Sequence, residues 1–154
     1  MHEQELAFIK NFRPALQIVC ARIFRSYGKN SRDIISRWIR ALLNHEEIAV
    51  YCPEGRFDFV YAEDVANALY QLAESSFSGA VNIGSGQSHT IQEILDILKK
   101  HFGPFAYRAV ESHIPYECSQ ADMSLYSSYI THPFFHKPAE AIPQIIEFEQ
   151  HKNM

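Results

Sequence analysis

The chain has 154 residues, 47% of them hydrophobic and 21% charged, enough to bury a core of its own, so one domain over residues 1–154 is expected and disorder is not. Fourteen Lys and Arg against eighteen Asp and Glu give a formal charge of -4, which excludes the broad basic footprint of a nucleic-acid or anionic-membrane binder but not a local anion site. The opening "MHEQELAFIKNF" lacks the basic-then-apolar order of a signal peptide, and no stretch approaches transmembrane length, so a cytoplasmic protein is expected. Three cysteines, Cys20, Cys52 and Cys118, without C-x-x-C spacing, argue against a disulfide scaffold and a zinc ribbon. Cys20, inside an apolar run, reads as a core thiol.

In chain order, Leu6, Ile9 and Phe12 have helical spacing, and the segment stops at Arg13-Pro14 because the residue before proline is pushed out of the α region. "LQIVCARIF" is apolar at nearly every position, as in a parallel strand covered on both faces. From Asp33, the apolar positions Ile34, Ile35, Trp38, Ile39, Leu42 and Leu43 predict an amphipathic helix, with Arg32, Arg37 and Arg40 off the stripe. "EIAVYC" is a short strand, "PEG" a turn and "FDFVY" a second strand. Asp64 reads as the N-cap of a helix striped by Val65, Ala68, Leu69 and Leu72, with Glu63 beside it as a dipole partner rather than half of a catalytic carboxylate pair.

"AVNIGSG" predicts a strand entering a glycine turn. Thr90 and Glu93 then have capping-box spacing ahead of Ile91, Ile94, Leu95 and Leu98. "AYRAV" is an edge strand. The tail from Glu111 is punctuated by Pro115, Pro133, Pro138 and Pro143, with a last helix around Pro143 to Gln150 that carries proline in its first turn. Alternating strands and helices make this an α/β chain.

The order "ARIFRSYGK", "FDFVYAEDVANAL", "AVNIGSGQSHTIQEIL", "ADMS" resembles the C-terminal half of the extended short-chain dehydrogenase/reductase family, the NAD-dependent nucleotide-sugar epimerases and dehydratases. The likeness runs from Glu5 onward. The family's Arg-x-Phe-Asn-x-Tyr-Gly-Pro segment is similar to Arg22 to Lys29, its Arg-Asp-Phe-Val-x-Val-x-Asp-Val segment to Phe57 to Val65, and its Asn-x-Gly-x-Gly turn to Asn82 to Gly86. Pro133 and Phe148 echo its C-terminal pattern. The resemblance implies a partial Rossmann-like sheet remnant with the family's smaller α/β substrate-binding lobe.

The family's glycine-rich loop, whose N–H groups hold the dinucleotide pyrophosphate, has no counterpart, because "GSGQSH" lacks the third glycine. Its Tyr-x-x-x-Lys pair is also missing: Lys10 has Leu6 four residues earlier. The expectation is therefore a truncated member lacking the N-terminal cofactor-binding half. No catalytic residue and no cofactor are assigned to this chain alone, NAD(P) being implied for the full-length family.

Where the family carries an asparagine and an arginine for the nucleotide-sugar diphosphate, this sequence has Arg25 and Phe57, which removes one bidentate cation. Arg25 could restore the charge, or Arg56 could if its strand were bulged; in an unbulged strand Arg56 faces the other way. The alternative is that both are solvated surface arginines. Tyr27 and Tyr61 are the other candidate substrate-binding residues, against a plain core role. Asn82 reads as a turn amide. His132 and His136, with His113 and Cys118, have the wrong context for a metal site because Pro133 interrupts them.

Two functions remain open at the level of sequence. One is the substrate side of an NAD-dependent epimerase (an isomerase) or dehydratase, not competent alone. The other is a non-catalytic binding or dimerisation module derived from that fold. The partners expected are a nucleotide-sugar, no nucleic acid, no membrane, and either another copy of the chain or a missing N-terminal Rossmann half.

Overall fold

A computed structural model describes residues 2–111, 117–131, 133 and 135–152. Six helices and seven strands occur among them: α1 (His2–Phe12), β1 (Val19–Ile23), β2 (Arg25–Tyr27), α2 (Ile34–Leu43), β3 (Ile48–Tyr51), β4 (Arg56–Tyr61), α3 (Ala62–Glu74), β5 (Gly79–Ile83), β6 (Ser88–Thr90), α4 (Ile91–Phe102), β7 (Tyr107–Val110), α5 (Ser124–Tyr129) and α6 (Pro138–Lys152). No described helix is long and apolar enough to cross a membrane.

Local chemistry sets the clearest boundaries. The Asp33 carboxylate accepts from the Ser36 N–H at 3.0 Å and opens α2, whose Ile35, Trp38, Ile39 and Leu42 are buried. Fully burying Ile35 and Ile39 stabilises the fold by about 1.5–3 kcal/mol each before entropy is subtracted. Thr90 and Glu93 form the expected capping box at the start of α4.

Three small sheets result. β1 pairs in parallel with β5, β3 in parallel with β7, and the middle sheet is mixed, with β2 parallel and β6 antiparallel to β4. Strand alternation makes β4 a shared wall. Phe57, Phe59 and Tyr61 join a core with α2, α4 and α6, whereas Val60 joins a second core with α3, β5 and α5.

The α/β character is as expected, but a partial Rossmann-like sheet remnant beside a smaller lobe is not what the strands build. They divide among three parallel or mixed sheets, and β4 lines both cores, so no boundary separates a remnant from a lobe. Other expectations also change. β1 is not covered on both faces: it pairs only with β5 among the described residues, and Ile23 is 45% exposed. Asp64 does not cap α3, which begins at Ala62 with Tyr61 as its cap residue; Asp64 lies inside the first turn and is buried. Pro143 lies inside α6 rather than in its first turn, which Pro138 begins. His113, Pro115 and His132 lie outside the described residues.

Candidate functional site

The site is built on β4. Its register with β6 pairs Arg56 with Thr90, Phe57 with His89 and Asp58 with Ser88, without a bulge, so Phe57 and Arg56 project to opposite faces. The parallel register of β2 sets Arg25 opposite Phe59 and Tyr27 opposite Tyr61, on the Phe57 face. Arg25 lies over the Phe57 ring, its guanidinium carbon 3.7 Å from the centroid, and its Nη2 is 3.8 Å from the Glu117 carboxylate. Phe57 is buried beneath it, while the Arg25 side chain keeps 41% of its surface open. A cation placed over a ring and still partly open to solvent can receive a planar or tetrahedral anion.

Arg56 is engaged elsewhere. It donates to the Ser88 carbonyl at 3.0 Å and to the Ser88 hydroxyl at 3.4 Å. Tyr27 and Tyr61 lie below Arg25 in the first core, each about 1% exposed, with Tyr27 edge-on to Phe59 and 5.8 Å from Tyr61. The Tyr27 hydroxyl has no hydrogen-bond partner among the described residues, and burial, reinforced by nearby Asp64, pushes its pKa far above the ordinary tyrosine value. The Tyr61 hydroxyl donates to Glu63 at 3.1 Å, and Lys29 donates to the same oxygen at 2.7 Å. The Lys29 ammonium holds the Glu63 carboxyl below its usual range, and Glu63 raises Lys29 in return. Burial raises Tyr61.

Two carboxylates missed by sequence reasoning organise the surroundings. Asp58, wholly buried, accepts from the Ser85 N–H and hydroxyl at 2.7 Å each, the Gly86 N–H at 3.0 Å and the Ala121 N–H at 2.9 Å. A lone acid in an otherwise aromatic strand was the available signal. Asp64, read as a cap, accepts from the His136 N–H at 2.6 Å and lies 2.7 Å from His136 Nδ1, tying α3 to the segment before α6.

The turn Gly84 to Gly86 does not fit a dinucleotide pyrophosphate. Its N–H groups at Ser85 and Gly86 already serve Asp58, and a Cβ at Gly84 would stand 2.5 Å from the Ala121 Cβ and 2.8 Å from Asp58 Oδ2. The glycine there makes room for the protein's own carboxylate rather than for a ligand. No group of three metal-ligating side chains occurs among the described residues, where His136 faces Asp64.

The profile of the NAD dependent epimerase/dehydratase family matches residues 2–84, more than half of the chain. The chain belongs to this family. UDP-glucuronic acid decarboxylase 1 of Danio rerio is 32% identical over an alignment of 89 residues that covers 54% of this chain and 21% of that protein. The structure of a UDP-glucose 4-epimerase with UDP-glucose from Thermotoga maritima superposes with a TM-score of 0.88 at 19% identity, covering 99% of this chain and 52% of that one. A UDP-glucuronic acid 4-epimerase from Bacillus cereus in complex with NAD gives 0.82 at 19% identity, covering 98% and 50%. The family chain thus spans about half the length of these solved structures and about a fifth of the Danio rerio relative.

These matches correct several expectations. The superpositions run over 98–99% of this chain, so its own residues take the family fold throughout rather than forming the partial remnant expected, while they span about half of each solved chain. The family match stands against the expectation of a chain without competence, since residues 2–84 fit the NAD dependent epimerase/dehydratase family. The expectation of no cofactor is set against a fold that a structure in complex with NAD shares over 98% of this chain and 50% of its own.

Proposed function

We propose that the protein serves NAD-dependent chemistry on a nucleotide sugar, of the epimerase, dehydratase or decarboxylase kind, and that Arg25 grips the diphosphate of that substrate. The carrying observation is the Arg25 guanidinium lying 3.7 Å from the Phe57 ring centroid. Phe57 occupies the position at which the family resemblance places a phosphate-binding arginine, so a cation from the neighbouring strand β2 stands over the residue that replaced one. The contact with the ring holds the guanidinium in place, and its N–H groups can form two parallel hydrogen bonds to phosphate oxygens.

Tyr27 and Tyr61 act as the floor under Phe57 and Arg25, with Tyr61 fixed through Glu63 and Lys29. Arg56 braces β4 against β6 from the opposite face and helps the site by holding the strand. Residues 1–154 work as one domain, supported by the strand shared between the two cores.

Backbone-amide NMR of the protein with added UDP-glucuronic acid tests the reading. Shifts concentrated at Arg25, Phe57 and their β2–β4 neighbours are expected. Shifts confined to other surfaces, or none at millimolar ligand, would refute it.

A further inference from the structure

Arg25 has a partner already. Glu117 approaches it at 3.8 Å, at ion-pair distance but too far for a hydrogen bond. The Glu117 backbone is anchored: its carbonyl accepts from the Arg56 N–H at 3.1 Å, the Ser119 N–H donates to the Arg56 carbonyl at 3.0 Å, and Cys118 bridges to Arg56. The segment is therefore seated on β4 beside Phe57, and the Glu117 side chain is 57% exposed.

The geometry points to Glu117 as an internal competitor that occupies Arg25 in the empty site, is displaced by the substrate diphosphate, and so sets the affinity and charge selectivity of the site. This rests on Arg25 being the diphosphate cation. A solvated pair without hydrogen bonds contributes little in water and exchanges readily. A diphosphate offers the same guanidinium short, paired, charge-assisted bonds, and the Phe57 ring keeps the guanidinium in place while its partner changes. Once phosphate arrives, Glu117 must swing toward solvent, because two anions cannot share one cation at that distance without repulsion. A ligand with a weak or single charge gains no more from Arg25 than Glu117 already provides, whereas a diphosphate does.

Calorimetric titration with UDP of the unaltered protein, Glu117→Gln and Arg25→Ala tests this, with thermal melts confirming that each variant is folded. Glu117→Gln is expected to bind UDP about three- to tenfold more tightly at low ionic strength, with the gain shrinking as salt is added. Arg25→Ala is expected to weaken binding. If Glu117→Gln binds no more tightly while Arg25→Ala still loses affinity, the competitor role is overturned and the Arg25 assignment stands. If neither substitution changes UDP affinity, both are overturned.

Discussion

At the scale of single residues, Asp58 illustrates how a buried charge acquires a structural role. Four donors from two distant segments converge on it, so replacement by alanine would strand the N–H groups of Ser85, Gly86 and Ala121 together. Asp58→Ala is expected to cost roughly 3 kcal/mol or more in urea denaturation, since each orphaned buried donor carries a penalty of about 1–3 kcal/mol. A loss below 1 kcal/mol would mean that solvent satisfies the turn, by the same scale. The Lys29–Glu63 pair is the opposite case, with side chains 34% and 53% exposed and screened by water. Glu63 is depressed, so its contribution is present above the ordinary carboxylate range and lost as pH falls through its lowered value. Lys29 is raised, so its contribution is complete below the ordinary lysine value and lost as pH climbs through the raised one. Lys29→Met is expected to lower stability by no more than about 1 kcal/mol near neutrality, with the difference vanishing in strong acid; melts across pH would reveal any other pattern. The direction in which Phe57 and Arg56 point was legible, because an unbulged strand has a period of two. The role of Asp58 was not, because its donors lie 27 to 63 positions away.

Among elements, those written by local rules were readable. The α2 stripe and the Thr90–Glu93 box need only neighbours three or four residues apart. The α3 start was misread because two adjacent acids look like a cap until the partner of Asp64, His136, is seen 72 positions later. Helix α5 is six residues long and carries too little periodicity to announce itself. Arg40 looked like a surface residue of α2, yet it donates at 2.9 Å to Glu149 of α6, which is 1% exposed. Arg40→Met alone should destabilise by about 3–5 kcal/mol by leaving that carboxylate buried and unpaired, whereas Arg40→Met with Glu149→Leu should recover most of the loss. Equal stability of the single and double variants in chemical denaturation would contradict that coupling. Gly84 locks β5 to the segment around Ala121 by close approach. Gly84→Ala should cost about 1–3 kcal/mol through overpacking, read as a lower melting temperature.

For the molecule as a whole, the absent motifs led to the expectation of a partial sheet remnant, whereas the structural matches run along nearly the entire chain and about half of each solved one. The surface also carries information. The Phe8 and Phe12 rings of α1 lie 4.8 Å apart, tilted to one another, yet are 63% and 71% exposed, with Leu16 and Ile23 also open. An apolar surface of this kind is expected to be covered, and light scattering should give a mass above that of one chain, reduced by Phe8→Ser with Phe12→Ser. A monomer at every micromolar concentration would contradict it. The formal charge of -4 makes a strong local cation site more telling, because no general basic field draws anions to the protein. The central claim is that Arg25 recognises a diphosphate, and calorimetric comparison of UDP with uridine tests it most directly. UDP is expected to bind at least about tenfold more tightly than uridine, with Arg25→Ala abolishing the difference. Equal binding of the two ligands, or a preference for UDP that survives Arg25→Ala, would contradict it.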